Sequence, residues 1–404
     1  MSDAEFDVLI VGAGMAGATL ALALSGNNLR LGLIEAKPID SAVIELGVAG
    51  LEGYDARVSA ITPASQALFE SLGVWSSIYE QRVSPYKTMQ VWDAEGSGAI
   101  EFRSDEIPAP VLGHIVENSL INSVLLEALA KCRNVEFFSP VKLAGLNESD
   151  AGVTISLEDG RSLSTTLLVA ADGALSKVRS LAEFKTREWD YGHKALVATV
   201  QTEVDPAMIA RQSFLPSGPL AFLPLSGVDG QYFCSIVWSA NPELSDELCK
   251  LGEDAFCRRL ERAFESRLGA IKASSARFAF PLRQRHAIDY VKPGIALVAD
   301  AAHTIHPLAG QGINIGLQDV KVLAAELLRA QRRKQNLGSI EVLKRYQRQR
   351  KGDNLVMMAA MDGFKRLFEQ DQLPARLLRN AGMSWLSAMP GIKRKIMRHA
   401  MGAN

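Results

Sequence analysis

Cysteine is scarce in this 404-residue chain: only Cys132, Cys234, Cys249 and Cys257 occur, with no Cys-x-x-Cys pair and no histidine at zinc-ligand spacing. That excludes a disulfide-built scaffold and a cysteine-based metal centre, and the four read as small buried hydrophobes in a reducing compartment. An excess of either charge is also missing, since 44 Lys plus Arg face 45 Asp plus Glu for a formal net charge of −1. No whole-protein field favours nucleic acid. There is no Gly-Lys dipeptide and no Gly-x-Ser-x-Gly, which removes Walker-type triphosphate hydrolysis and nucleophile-elbow acyl transfer. Repeats and low-complexity tracts are lacking, and 48% hydrophobic with 22% charged residues excludes a disordered polypeptide. His303 and His306 stand three apart, but no carboxylate or cysteine completes a site in the surrounding loop, so no metal is expected. One long uncharged run exists, Val8 to Leu29. Its four glycines and the preceding Asp3, Glu5 and Asp7 make it a nucleotide-binding start rather than a signal peptide or span, in a cytoplasmic protein.

What is present starts with β-α-β. FDVLIVGAG is a β-branched run ending in glycine, MAGATLALALSG follows at helical spacing, and LRLGLIEA is a second apolar run. Arg57 to Leu72 suggests another helix and Asn118 to Ala130 a further one, while VEFFSP, VTISLED and TTLLVAADG read as strands. Near Thr186 the pattern shifts to successive strands without intervening helices, which requires an antiparallel sheet. Glu243 to Leu268 reads as one amphipathic helix, after which strand, loop and long helix return to the first domain.

Gly12-Ala13-Gly14-Met15-Ala16-Gly17 is a G-x-G-x-x-G between strand and helix, the context in which it binds a dinucleotide. The first glycine permits the turn, the second lets backbone approach a pyrophosphate, and the third lets helix and strand pack closely. The helix N-terminus offers free N–H groups to the phosphates. Glu35, at the end of the second strand, suits an adenosine ribose and disfavours a 2′-phosphate. This fingerprint alone does not separate FAD from NAD.

Two later segments do. Ala171-Asp172-Gly173-Ala174-Leu175-Ser176-Lys177-Val178-Arg179 and Val298-Ala299-Asp300-Ala301-Ala302-His303, continuing to Pro307-Leu308-Ala309-Gly310-Gln311-Gly312-Ile313-Asn314, resemble the Asp-Gly and Gly-Asp fingerprints of the flavoprotein aromatic hydroxylases of the para-hydroxybenzoate hydroxylase-like fold. With Leu112 to Asn118, Trp189-Asp190-Tyr191, Ala221 to Leu225 and Ser235 to Trp238, the chain resembles the ubiquinone-biosynthesis ring hydroxylases over essentially its whole length, nearest the bacterial 2-octaprenylphenol hydroxylase branch. The resemblance implies FAD-dependent hydroxylation of a polyprenylated phenol or quinol ring with NAD(P)H and O2, through a flavin hydroperoxide. With only one dinucleotide fingerprint, NAD(P)H is expected to visit transiently.

On that reading Gly12, Gly14, Gly17, Glu35, Arg57, Asp172, Asp300, Gly312, Ile313 and Asn314 bind FAD, and Pro307, Gly310 and Gln311 form the dry environment of the flavin ring, with no conventional acid or base. A helix N-terminus at Gly310 to Asn314 would face the negative charge of the reduced flavin. Arg57 matches an arginine that the family places near the flavin; its other reading is a surface ion pair with Asp55 or Glu52. One departure stands out: the family usually has glycine where this chain has Ala299, whose methyl would crowd the pyrophosphate.

Trp189, Trp238, Phe222 and Phe233 lie on the expected sheet, either as a sandwich core or lining an apolar tunnel, and Phe222 and Trp238 are the candidate substrate contacts. Two basic tracts end the chain: Arg329 to Lys351 holds nine cations against Glu341, and Gln372 to Asn404 holds Arg376, Arg379, Lys393, Arg394, Lys395 and Arg398 with no acid. In the second, Leu373, Leu377, Leu378, Met383, Trp385, Leu386, Met389, Ile392, Ile396 and Met401 are interleaved, which reads either as a solvated face or as a tail for an anionic membrane or for proteins of a ubiquinone-biosynthesis complex.

The expected fold is α/β: a doubly wound FAD domain (1–85, 110–182 and 285–345), interrupted by an antiparallel substrate sheet (86–109 and 183–284) and followed by a helical region (346–404). The protein would be cytoplasmic, peripheral on the inner face of the bacterial cytoplasmic membrane. Two alternatives remain. Arg285 to Gly294 and the tail are similar to the branch acting at another carbon of a methylated, methoxylated quinol, and a flavin-bound assembly subunit is the second.

Overall fold

The computed structural model of the chain describes residues 5–39, 50–96, 98–150, 152–304, 312–369 and 389–402. Its opening segment forms β1 (Phe6–Val11), α1 (Met15–Ser25) and β2 (Leu31–Ile34). Around them runs a sheet in the order β18 (Val291–Lys292), β19 (Ile295–Leu297), β11 (Ser162–Ala170), β1, β2, β8 (Val135–Phe138). The strands from β19 to β8 are parallel, β18 turns back antiparallel, and β9 (Leu143–Ser149) and β10 (Gly152–Leu157) hang on β11 as an antiparallel meander. Helices α1, α4 (Asn118–Ala130) and α8 (Gly312–Arg332) join its core, which is why β1 from Val8 onward and the end of β11 are apolar at every position.

The second sheet runs β20 (His303–Thr304), β17 (Phe278–Ala287), β12 (Thr186–Thr202), β15 (Gln231–Ala240), β14 (Gly218–Val228), β13 (Ile209–Leu215), β5 (Thr88–Asp93), β6 (Ala99–Arg103), with β16 (Ile271–Ser274) beside β12. It is antiparallel except where β13 meets β5 in parallel. β20 comes from the stretch assigned by sequence to the nucleotide part, yet its His303 pairs with His286 of β17, so the two sheets meet there. A small third sheet, β3 (Val58–Ile61), β7 (Gly113–Glu117), β4 (Val83–Tyr86), lies between them.

Two expected helices are corrected. Arg57 to Leu72 divides into β3 and α2 (Pro63–Ser71), because the Thr62 side chain accepts from Ser65 N–H as an N-cap and Pro63 opens the helix; α3 (Trp75–Tyr79) follows. Glu243 to Leu268 divides into α6 (Pro242–Lys250) and α7 (Glu253–Ala263), since Leu251 and Gly252 are extended and Gly252 caps α7 ahead of Glu253 and Asp254. α5 (Lys177–Leu181) follows β11, and α9 (Ile340–Glu369) and α10 (Pro390–Ala400) end the chain.

Residue alternation assigns the faces of the second sheet. Leu196, Trp238 and Leu220 stand abreast on β12, β15 and β14, as do Ala198, Ile236 and Phe222, and all six bury against α6 and α7. Their neighbours Val197, Val237 and Ala221 therefore point the other way. Farther along that face, Leu223, Leu225 and Phe233 pack with Ala60, Tyr86 and Ile115 of the third sheet, so this face turns toward the nucleotide part.

Candidate cofactor and substrate site

The turns that follow β1, β11 and β19 lie against one another at one edge of the parallel sheet, the edge at which a doubly wound sheet opens its binding cleft. The three fingerprint glycines play different parts in it. Gly12 lies at φ +103°, and a side chain there would overlap the Ala171 carbonyl; one on Gly17 would overlap the Gly12 carbonyl. Those two glycines are therefore demanded by packing. Around Gly14 no atom lies within 4 Å of a built Cβ, so this is the position whose bareness serves a ligand. Glu35 ties the turn down: its Oε2 accepts from Ala13 N–H at 2.9 Å and its Oε1 from Lys37 N–H at 3.0 Å. Each carboxylate oxygen keeps a further lone pair for a ribose hydroxyl.

Asp172 follows β11. Its Oδ2 accepts from the N–H groups of Lys177 and Val178 at 2.7 and 3.2 Å, while its buried Oδ1 has no partner among the described residues. A buried orphan acceptor is costly unless a ligand completes it. Behind Asp172, the buried Arg179 donates to Ala174 O at 2.7 Å and to Ala301 O at 2.8 Å, and Arg285 also donates to Ala174 O. Arg179 thus clips the Asp172 turn to the Asp300 turn. Its position inside the Asp172 motif does not by itself reveal this role, because Ala301 is 122 residues away in the chain.

Asp300 stands in a single 3-10 turn after β19, exposed on the cleft side. Protein packed around it pushes its carboxyl above the usual range, and His303 and Arg57 oppose that shift. Arg57 is exposed; Asp55, its alternative partner, accepts instead from the backbone N–H groups of Arg57 and Ser119.

Ala299 answers the question raised by its departure from glycine. It lies at φ +52°, a left-handed conformation costing an L-residue about 1 kcal/mol. Its methyl points to α8, where a Cβ on Gly316 would lie 2.6 Å from that of Ala299, so bare Gly316 receives the methyl. Ala299 N–H donates to Asp319 Oδ2 at 3.1 Å.

Asp319 is a hub that the sequence reading missed. Fully buried on α8, it also meets His303 Nε2 at 2.5 Å, Arg350 Nε at 2.8 Å and Asn354 Nδ2 at 3.1 Å. Burial alone would raise its carboxyl, but His303 and Arg350 outweigh it and hold it below the ordinary value. The signal was a carboxylate in the buried phase of an apolar helix, between Leu317 and Val320. Asn354 Nδ2 also reaches Tyr290 Oη at 3.3 Å, which in turn contacts His286 Nε2 at 3.0 Å.

At the start of α8, Gly312 has open space and Ile313 is half-buried. The Asn314 side chain clamps α8 to β3 and α2, accepting from Thr62 N–H at 3.0 Å and donating to Ala60 O at 2.7 Å, so any cofactor role of this residue falls to its backbone N–H. Pro307, Gly310, Gln311 and His306 lie outside the described residues. The open Gly14, the unpartnered Asp172 oxygen and the cleft-facing Asp300 carboxylate fit a dinucleotide laid across these turns.

Phe222 and Trp238 are corrected as substrate contacts. Phe222 stacks on Phe264 at 3.7 Å between ring centroids, Trp238 donates to Ser217 Oγ at 3.3 Å, and both are sealed under α6 and α7. The opposite face carries the open aromatics: Phe278 and Phe280 pair with Val197 and Ala195 and are 47% and 42% exposed.

Comparison with known proteins agrees with this geometry. The FAD binding domain family model matches residues 5–354. The 3-demethoxyubiquinol 3-hydroxylase of Escherichia coli (strain K12) is 36% identical over 402 residues, covering 100% of both chains. The mitochondrial ubiquinone biosynthesis monooxygenase COQ6 of Xenopus tropicalis is 36% identical over 448 residues, covering 98% of this chain and 93% of its own. The ubiquinone hydroxylase UbiL of Rhodospirillum rubrum is 36% identical over 401 residues, covering 99% and 90%. In fold, the chain is similar to PqsL, a probable FAD-dependent monooxygenase from Pseudomonas aeruginosa (TM-score 0.77, 22% identity, 94% of this chain and 99% of that one). It is also similar to the p-nitrophenol 4-monooxygenase PnpA of Pseudomonas putida (TM-score 0.78, 19% identity, 98% of each). These relatives are named as enzymes, which disfavours the assembly-subunit alternative, and they widen the resemblance from the 2-octaprenylphenol branch to the ubiquinone hydroxylases together. With its open Gly14, its paired Asp172 and Asp300 turns and these full-length matches, the chain belongs to the FAD-dependent monooxygenases, among the hydroxylases of ubiquinone biosynthesis.

Proposed function

We propose that this protein hydroxylates the aromatic ring of a polyprenylated phenol or quinol, consuming NAD(P)H and O2. The observation that carries the reading is the end-to-end 36% identity to a 3-demethoxyubiquinol 3-hydroxylase. Bound FAD supplies the redox chemistry: it takes two electrons from NAD(P)H and activates O2, so that one oxygen atom enters the ring and the other leaves as water.

The chain's own residues bind, orient and exclude water. Gly14 admits the pyrophosphate, Glu35 and Asp300 accept ribose and ribityl hydroxyls, and Asp172 Oδ1 accepts a further donor. Gly12 and Gly17 hold the turn that shapes this approach. Arg57 and the N–H groups at Gly312, Ile313 and Asn314 place positive potential where the reduced flavin is negative. Pro307, Gly310 and Gln311 lie next to that N-terminus in sequence and would wall the flavin ring. The face bearing Val197, Val237, Phe278 and Phe280 lines the substrate side, where apolar surface suits an isoprenoid chain.

No described helix is long and apolar enough to cross a membrane. A long-chain prenyl substrate resides in a bilayer, and we infer that the protein meets it as a peripheral protein on the cytoplasmic membrane face, where NAD(P)H is supplied.

The test is a reconstituted reaction. FAD-loaded protein should oxidise NAD(P)H faster when a short-chain prenylphenol or demethoxyquinol is added, and mass spectrometry should find one atom from isotopically labelled O2 in the ring. Product analysis on the two substrates assigns the ring carbon. NAD(P)H oxidation yielding only hydrogen peroxide, with both rings unchanged, would sink the reading.

A further inference from the structure

Helix α10 divides its surface into rows at i, i+4 spacing, which lie side by side on a helix. One row, Lys393, Met397 and Met401, is buried. Lys393 Nζ pairs with Glu106 Oε1 at 2.6 Å, Met397 and Met401 join the cluster of Tyr54, Tyr86, Ile107 and Leu112, and Met401 O accepts from Ala64 N–H at 3.3 Å. The helix is therefore docked, and the reading of this stretch as one outward tail is corrected at Lys393 and Met401, which face inward, while Leu373, Arg376, Leu377, Leu378, Arg379, Met383, Trp385 and Leu386 lie outside the described residues. The remaining rows are exposed, and they differ in kind. Ile392 and Ile396, with Met389 just ahead, form an apolar row at 42%, 41% and 37% exposure. Arg394 and Arg398 form an exposed cationic row, and Lys395 stands exposed on the next row with His399. The stretch from Met389 to Gly402 contains no acid, and its one carboxylate partner, Glu106, is spent on the inward-facing Lys393.

We propose that the outward face of α10 is the docking surface of this protein for an anionic bilayer, with Met389, Ile392 and Ile396 entering the headgroup boundary and Arg394, Lys395 and Arg398 meeting lipid phosphates. Charge complementarity selects this occupant: three exposed cations that have no carboxylate partner among the described residues, set beside aliphatic side chains, match a surface that is negative above and apolar below. The placement of the helix adds a second argument. Its buried row packs into the same cluster as Leu223, Leu225 and Phe233, which belong to the sheet face that turns toward the nucleotide part. A bilayer held on α10 would thus lie beside the substrate cleft, and an isoprenoid chain would pass from lipid to protein with little apolar surface crossing water. The inference rests on the proposed prenylated substrate for its purpose but not for its test.

The test uses the full-length, FAD-loaded chain with vesicles of phosphatidylethanolamine and phosphatidylglycerol, and with vesicles of phosphatidylcholine alone. Wild-type protein should co-sediment with the anionic vesicles and far less with the neutral ones. Ile392→Asp/Ile396→Asp and Arg394→Glu/Lys395→Glu/Arg398→Glu should each weaken that binding by about tenfold or more. Because the replaced side chains are exposed, FAD content, melting temperature and turnover of a short soluble quinol should match wild type. For a long-chain quinol delivered in vesicles, KM should rise with kcat unchanged. Variants that sediment like wild type, or a wild type that ignores anionic vesicles and instead forms a stoichiometric complex with another protein through this face, would overturn the proposal. If short-chain quinols are never hydroxylated but anionic vesicles are bound through α10, the substrate reading fails while the docking surface stands.

Discussion

The cleft at the ends of β1, β11 and β19 and the sheet built on β12, β15 and β17 present ligands in contrasting ways. At the cleft the chemistry sits in turns: a bare Gly14, carboxylates at Asp172 and Asp300, and backbone N–H groups. On the second sheet it sits in alternation, where one register step separates a core residue such as Phe222 from a neighbour on the open side. Turn chemistry is written in local motifs, whereas a sheet face is assigned by whatever covers it. Here α6 and α7 cover one face and leave Phe278 and Phe280 on the other.

The largest expected effect tests that assignment. Phe222→Ala should cost about 3–5 kcal/mol of stability, as for other buried phenylalanines, whereas Phe280→Ala should stay within about 0.5 kcal/mol. Urea unfolding reads the first, and KM for a prenylated substrate, raised only in Phe280→Ala, reads the second. Equal destabilisation by both variants would mean that the two faces are equally sealed.

Where the two regions meet, His286 is buried and its pKa is depressed to about 4 by burial, then by His303, Lys351 and Arg187. Its folded value lies below the unfolded one of about 6.5. Acidification from pH 7 to pH 4 therefore protonates the unfolded chain first and lowers stability, by an amount on the order of 3 kcal/mol at most. Unfolding free energies at pH 7.5 and 5 should differ more in wild type than in His286→Gln; equal pH slopes would remove His286 as the cause.

Asp300→Ala sharpens the cleft side of the comparison. A carboxylate lost from an open turn should weaken FAD binding by about 1.5–3 kcal/mol while the apoprotein melts as before. Titration of FAD fluorescence measures the affinity; unchanged affinity with a collapsed melting temperature would make Asp300 structural.

The smallest effect is at Ala299→Gly. Glycine relieves the left-handed strain but forfeits a methyl contact and adds freedom to the unfolded chain, so stability should move by less than about 1 kcal/mol and activity by no more than a few-fold. Loss of turnover in a folded, FAD-loaded variant would mean that the methyl shapes the site.

The sequence alone determined the β-α-β start of the nucleotide half and the turns that carry its motifs. Three glycines, Glu35 and strand-ending carboxylates are adjacent in the chain to the turns they build, so their chemistry was readable from spacing. Its antiparallel partner was readable as a class, from strands that follow one another without helices. What tertiary structure decided were relationships between distant segments. Gly316 makes room for Ala299 across 17 positions. Asp319 gathers Ala299, His303, Arg350 and Asn354 from up to 35 residues away. The face that buries Phe222 and Trp238, and the row of α10 that turns inward, depend on which apolar surface lies opposite. Burial is a property of pairs of surfaces, and a single strand or helix read alone carries only one member of each pair.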